Sequence, residues 1–352
     1  MMKKNLQKNR PRRCVRQVVA TALILLLALF LIPLLLFGTA GLERGGSEAP
    51  SAGGLPLDRT VVTPQPSADS QVSVRVALAD GSVLTLGLDQ YLWRVVAAEM
   101  PASFEPEALK AQATAARTYT LSKLGRTSDR HPDADVCTDI TCCQAYLDPA
   151  QAAANWGDAA ETYTAKIAAA VADTDGLAIL YDGQPIQAVF FSSAAGRTVD
   201  AVEVWGNAVP YLTGVDSPEG EEVPNYHSTV SFSPEELKAV LLAQYPEADL
   251  SGDPAGWFQA VTPNSAGGVD TVEVGGVTVS GGALRTLLGL RSTSFTVEAT
   301  AQAVTFSVTG YGHGVGMSQY GANALAKEGK RYDEILTWYY TGVEVAPYAP
   351  PA

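Results

Sequence analysis

The segment Tyr91-Leu-Trp-Arg-Val-Val-Ala-Ala-Glu99-Met-Pro101 ends an apolar, helix-competent run on a single carboxylate. Proline restricts the residue before it and cannot continue a helix, so Glu99 is expected at a helix end. Ala97 and Ala98 leave room beside it. A carboxyl held among apolar neighbours has reason to stay protonated above the ordinary glutamate range, which suits a general acid. The competing reading is a solvated glutamate at a helix terminus.

His131, Cys137, Cys142 and Cys143 follow the spacing His-x5-Cys-x4-Cys-Cys inside a polar stretch, residues 127–146. Imidazole and thiolates converging there can make a tetrahedral zinc site. A disulfide from Cys137 to one of the adjacent pair is the alternative, and the spacing leaves both open. Phe190-Phe-Ser-Ser-Ala-Ala-Gly196-Arg-Thr198 ends a strand in a hydroxyl-rich turn, where Ser192 and Ser193 can hydrogen-bond a sugar or simply turn the chain. Trp205 and Tyr211 are either stacking platforms or core.

The most unusual string is Gly310-Tyr-Gly-His-Gly-Val-Gly-Met-Ser-Gln-Tyr-Gly321. Five glycines around one histidine imply special backbone dihedrals or a closely approaching ligand. The string is neither a phosphate-binding P-loop nor a dinucleotide fingerprint, and it is no nucleophile elbow. Gly312, His313, Gly314, Gln319 and Tyr320 are therefore candidate binding positions.

These groups need elements to hold them. Residues 72–88 alternate around Asp80-Gly81 as a hairpin. Helices are expected at 89–98, 106–123, 161–172, 234–244, 281–288, 318–328 and 333–341. Strands are expected at 178–181, 185–192, 271–274, 295–299 and 303–308. Hairpins without a regular βαβ repeat predict an α+β fold of mixed helices and short antiparallel strands.

Residues 1–16 carry seven basic side chains and no acid, and residues 17–42 carry no charge at all. The expectation is a basic cytoplasmic tail (1–16) and an uncleaved single-pass anchor (17–40), with everything beyond it outside the membrane. A flexible Gly/Ser/Pro-rich linker (41–71) and a folded region (72–349) follow, the latter in one lobe or in two with the second near 217–308. Net charge is −13, and removing the tail leaves 17 basic against 37 acidic residues. That balance argues against nucleic acid as a partner.

Taken in order, Val-Val-Ala-Ala-Glu99-Met-Pro, Glu107-Ala-Leu-Lys-Ala-Gln-Ala-Thr-Ala-Ala-Arg117-Thr-Tyr, Cys143-Gln-Ala-Tyr146, Val204-Trp-Gly, Val209-Pro-Tyr-Leu, Gly289-Leu-Arg-Ser292 and the 310–322 string resemble the stage II sporulation protein D (SpoIID/LytB) family of peptidoglycan lytic transglycosylases. The resemblance implies a membrane-anchored enzyme of the sporulation septum. Such an enzyme cleaves the bond between N-acetylmuramic acid and N-acetylglucosamine, in strands from which an amidase partner has removed the stem peptides. It implies Glu99 as the catalytic acid and Arg117 as a cleft arginine. His131, Cys137 and Cys143 are implied as ligands of a structural zinc, with Cys142 an alternative thiolate. It also implies amidase and scaffold partners. Two other functions compete with it: a zinc-dependent wall amidase built on the His/Cys cluster, and a non-catalytic wall-binding scaffold. Asp200, Glu203 and Asp216 exist, but no second acid sits in a context like that of Glu99. Arg117 within about 4–6 Å would lower the Glu99 pKa, so it is expected to contact glycan or a structural acid instead.

Overall fold

The computed structural model describes residues 66–126 and 128–350. The basic tail, the anchor and most of the expected linker lie outside the described residues. Among those that are described, no helix is long and apolar enough to cross a membrane.

The fold is α+β, built of short sheets and helices, one helix being buried almost all round. Strands β1 (Ser73–Ala77) and β2 (Val83–Gly87) form the expected antiparallel hairpin. Val74 and Val76 are fully buried, whereas their partners Leu86 and Leu84 stay partly open. Helix α1 (Leu88–Glu99) buries Leu88, Tyr91, Leu92, Val95 and Val96, the one-face spacing of an amphipathic helix. Met100 is already extended, as proline at 101 requires, so Glu99 is the last helical residue.

Helix α2 (Pro106–Lys123) has proline in its first turn and is buried almost all round. Its small side chains at Ala108, Ala111, Ala113, Ala115 and Ala116 let neighbours close in on every side. The hydroxyls of Thr114, Thr118 and Thr120 bond back to carbonyls one turn earlier, so they are satisfied without solvent. Strand β3 (Val136–Cys137) adds to β1 in parallel, inside the stretch read from sequence as loop. Two residues give no readable period, and the pairing depends on Asp135 gripping Arg75 of β1 at 2.8 Å.

Helix α3 (Pro149–Trp156) was not expected; Asp148 caps it by accepting from the amide of Ala150. Helix α4 (Ala160–Ala172) packs on α2 through Ile167, Ala170 and Val171. Strands β4 (Leu177–Tyr181) and β5 (Gln184–Pro185) turn at Asp182-Gly183, both with positive φ. The expected strand 185–192 breaks into β5 and β6 (Phe190–Phe191), because Ile186 to Val189 leave the ladder. Helix α5 (Ala201–Trp205) follows.

Beyond it, β7 (His227–Phe232), helix α6 (Pro234–Gln244), β8 (Phe258–Pro263), β9 (Val269–Val274), β10 (Val277–Ser280), helix α7 (Gly281–Leu288), β11 (Phe295–Ala299) and β12 (Val304–Thr309) build two three-stranded antiparallel sheets. Their buried side chains form a separate core around Phe306, Leu237, Val272 and Leu284. The chain then returns to α2 through β13 (Met317–Ser318), helix α8 (Gln319–Lys327), helix α9 (Tyr332–Tyr339) and β14 (Glu344–Pro347). β13 pairs in parallel with β6, and β14 with β4 antiparallel. Part of the expected linker is folded: Asp69 is buried, and Ala68 and Asp69 donate their amides to Asp175.

Candidate functional site

Glu99 stands at the end of α1 in the wall of an open cleft of about 1550 Å³. Its Oε1 accepts the amide of Ala145 at 2.6 Å, and the Gln319 amide nitrogen lies 3.5 Å from its Oε2. Burial pushes the carboxyl above its ordinary range, and the two donors oppose that shift without cancelling it. Ala145 holds Oε1 at 2.6 Å whereas Gln319 reaches Oε2 only at 3.5 Å, so Oε2 is the freer oxygen to carry a proton. Among the described residues, Glu99 is the sole carboxylate lining the cleft.

Arg117 is nowhere near it. The side chain is fully buried and makes bonds of 2.7–2.9 Å to both Asp69 carboxylate oxygens. Its remaining donors go to Thr174 and to the carbonyls of Leu177 and Val171. The expected cleft arginine is thus corrected to a structural one, because its position on α2 turns it toward the 66–71 segment and α4. The expectation that a structural acid would hold it is met by Asp69. Glu99 consequently has no cation depressing its pKa.

The cysteine stretch forms the wall beside Glu99. One donor atom from each of His131, Cys137, Cys142 and Cys143 lies within 4.8 Å of all the others. The cysteines are free thiols, with Cys143 Sγ 3.9 Å from Cys142 Sγ and 3.5 Å from His131 Nε2. Tetrahedral zinc, with bonds of about 2.3 Å to sulfur and 2.0–2.1 Å to nitrogen, needs separations of roughly 3.5–3.8 Å, so the donor set fits. His131 Nδ1 lies 3.0 Å from the Ala134 carbonyl and donates to it, which leaves the Nε2 lone pair aimed at the thiols. Burial pushes the Cys143 thiol up to about 12. Gln144, buried between Thr120 and Tyr91, fixes the next link, so the stretch delivers the Ala145 amide to Glu99.

The glycine string supplies the opposite wall. Gly310, Gly312, Gly314 and Gly316 all have positive φ. A Cβ on Gly312 would lie 2.6 Å from that of Phe191, so the turn can press against β6 only as glycine. His313 lines the cleft, but both ring nitrogens are engaged. Nδ1 accepts the Val315 amide at 3.1 Å, so Nε2 carries hydrogen and donates to the Phe190 carbonyl at 3.1 Å. Burial and the charge of Arg285 push its pKa down to about 4. His313 is a neutral brace for the turn, with Phe191 and Trp205 tilted against its ring at 5.5 and 5.7 Å.

Of the other sequence-predicted positions, Ser192, Gly312 and Gln319 line the cleft. Ser193 and Gly314 line a separate, smaller cavity, where the Ser193 backbone pairs with Tyr311 and the Gly314 carbonyl accepts from Val199. Tyr320 does not face the cleft either; it packs edge-on against Phe104 at 4.9 Å. In each case alternation or helical rotation carries the neighbour of a cleft residue to the other face. Trp205 is exposed at the cleft, whereas Tyr211 packs on Tyr181.

Sequence reasoning missed the Ala145 amide, which has no side-chain signature, and also Arg285, Tyr311 and Glu219. Glu219 is buried beneath the turn and accepts from Ala194 N, Ser217 Oγ and the hydroxyl of Ser318, the residue that caps α8. Its network reaches Tyr339 and holds Gln319 in place against Glu99. A Cβ on Gly321 would lie 2.0 Å from the Tyr339 hydroxyl. Gly321→Ala is expected to cost about 1–3 kcal/mol or more through overpacking, read as a lower unfolding midpoint.

The family profile described as SpoIID, stage II sporulation protein, matches residues 80–181, which include Glu99 and the His/Cys cluster. Stage II sporulation protein D of Bacillus subtilis (strain 168) is 38% identical over 299 residues, 82% of this chain and 85% of that protein. Its counterpart in Bacillus amyloliquefaciens is 39% identical over 281 residues, 79% of this chain and 80% of that protein. The Amidase enhancer of Bacillus subtilis (strain 168) is 29% identical over 305 residues, 72% of this chain but 40% of that protein. With 38% identity spanning 82% of this chain and 85% of its relative, this protein belongs to the stage II sporulation protein D family.

Proposed function

We propose that the protein is a lytic transglycosylase that cuts peptidoglycan glycan strands during sporulation. The carrying observation is that Glu99 is a half-buried carboxyl of raised pKa, unaccompanied by a second carboxylate among the described residues of the cleft. Hydrolysis by a glycosidase ordinarily needs two carboxylates about 5–9.5 Å apart. An intramolecular attack needs one.

In this reading protonated Oε2 of Glu99 gives its proton to the glycosidic oxygen as the bond from C1 of N-acetylmuramic acid breaks. The same sugar's C6 hydroxyl adds to C1 and closes a 1,6-anhydro ring. Its proton passes to the Glu99 carboxylate, which restores the acid, and no water is consumed. Ala145 steadies the anion formed in between. Trp205, at the cleft rim, offers a face for a sugar ring.

The same reading takes zinc as structural. His131, Cys137, Cys142 and Cys143 would fill four positions, whereas a catalytic zinc keeps one open, and this disfavours the amidase alternative. Zinc there would supply cross-linking of the loop that carries Ala145. Chelation, or Cys143→Ser, is expected to lower the unfolding midpoint by several degrees and activity with it, leaving the pH profile of the residual activity in place. Loss of activity with an unmoved midpoint would revive the amidase. An anchor at residues 17–40, a folded region outside the membrane and an amidase partner complete the proposal. The relative named Amidase enhancer lends support to the last.

Mass spectrometry of products from peptide-free strands tests the central claim. Anhydro-muramyl ends are the expected result, and reducing ends carrying an added water would overturn it.

A further inference from the structure

Arg285 carries a charge in the cleft that no acid answers. It projects from α7 into the cleft wall, half-buried, with Nε donating to the Arg291 carbonyl at 3.2 Å. No ion pair engages it among the described residues. Arg75, Arg117, Arg130, Arg197 and Arg331 each hold an aspartate, and Arg94, Arg126 and Arg291, which like Arg285 make no ion pair among the described residues, do not line the cleft. Its neighbour Arg291 is turned onto the ring of Tyr311 at 4.1 Å, so the two do not compete for the same space. In a chain of net charge −13, a partly desolvated guanidinium without a partner is costly unless a ligand completes it. Glu99 cannot be that partner while it holds its proton, and His313 beside Arg285 is neutral. An anion entering the cleft would complete the Arg285 guanidinium.

We propose that Arg285 binds the lactyl carboxylate that a muramyl residue bears once its stem peptide has been removed, and so makes the cleft selective for peptide-free glycan. The inference rests on the glycan reading above. With the peptide attached, the lactyl group ends in a neutral amide, which cannot accept a charged, bidentate pair and leaves the guanidinium unpaired. Specificity then comes from what the wrong substrate fails to satisfy.

The test uses full-length Glu99→Gln protein, which binds without cutting, and two preparations of peptide-stripped strands. One keeps free lactyl carboxylates; in the other they are converted to methylamides. The carboxylate strands are expected to bind about tenfold or more tightly at low salt, the gap narrowing as salt rises. The gap should vanish when Arg285→Gln is added and persist in part with Arg285→Lys. Equal affinity of Glu99→Gln for both preparations overturns the inference, as does an unchanged gap in a folded Arg285→Gln. Should Arg285→Gln not fold, the two-strand comparison and Arg285→Lys still decide. No binding to either strand overturns the glycan reading itself. Missing anhydro ends overturn the transglycosylase reading and leave the binding preference standing.

Discussion

Glu99→Gln is expected to lower strand cleavage by about 10²- to 10⁴-fold, the contribution of a positioned proton donor, while making the folded protein more stable at neutral pH. The two effects have one cause. Burial raises the Glu99 pKa above its unfolded value, so below that unfolded value both states are protonated and the side chain costs nothing. As pH climbs toward the folded pKa, the unfolded chain releases a proton that the folded one retains, and folding is progressively disfavoured. Above the folded pKa the cost is complete. A neutral carboxamide at this position would escape it while still accepting from Ala145. The unfolding midpoint of Glu99→Gln should thus match wild type in acid and exceed it from neutral pH upward. Wild-type activity should fall as pH rises through the same folded pKa. A midpoint difference independent of pH would remove the physical basis for the acid.

Arg117→Ala is expected to cost about 3–5 kcal/mol of stability, because it strands Asp69 as a buried, unpaired charge. For a domain of this size that is roughly a 10 °C fall in the unfolding midpoint. Replacing Asp69 and Arg117 together by leucine should recover much of the loss, since the pair's own desolvation disappears with it. At a temperature where Arg117→Ala is folded, glycan binding should equal wild type. A folded variant that no longer binds would return Arg117 to the cleft.

Much of this arrangement was readable beforehand, and particular residues show why. The Glu-Met-Pro terminus of α1 and the proline start of α2 are local chemistry, so both helix boundaries follow from residues within a few positions. The His/Cys spacing put the four donors in one stretch, though it could not choose between zinc and disulfide. What escaped was set by partners far along the chain. Arg117 was placed in the cleft by the family resemblance alone; only the fold of residues 66–71 shows which face of its helix it occupies. β3 is two residues long and exists because β1 offers an edge. Ser193, Gly314 and Tyr320 sit next to cleft residues in sequence, yet point to the other side. Ala145 works through its backbone, and no side chain announces that.

Glu99 and the wall opposite it come from distant parts of the chain: Gln319 meets Glu99 across 220 positions, and the short β6–β13 pairing docks the histidine turn. A product terminating ahead of residue 310 would own the acid but lack the glycine-rich wall that faces it. If the protein cuts glycan as proposed, incomplete translation products and clipped fragments should be harmless to the sacculus. On the proposed function, cutting power would arrive only with the last eighth of the polypeptide, a safeguard written into the order of the gene rather than into any inhibitor.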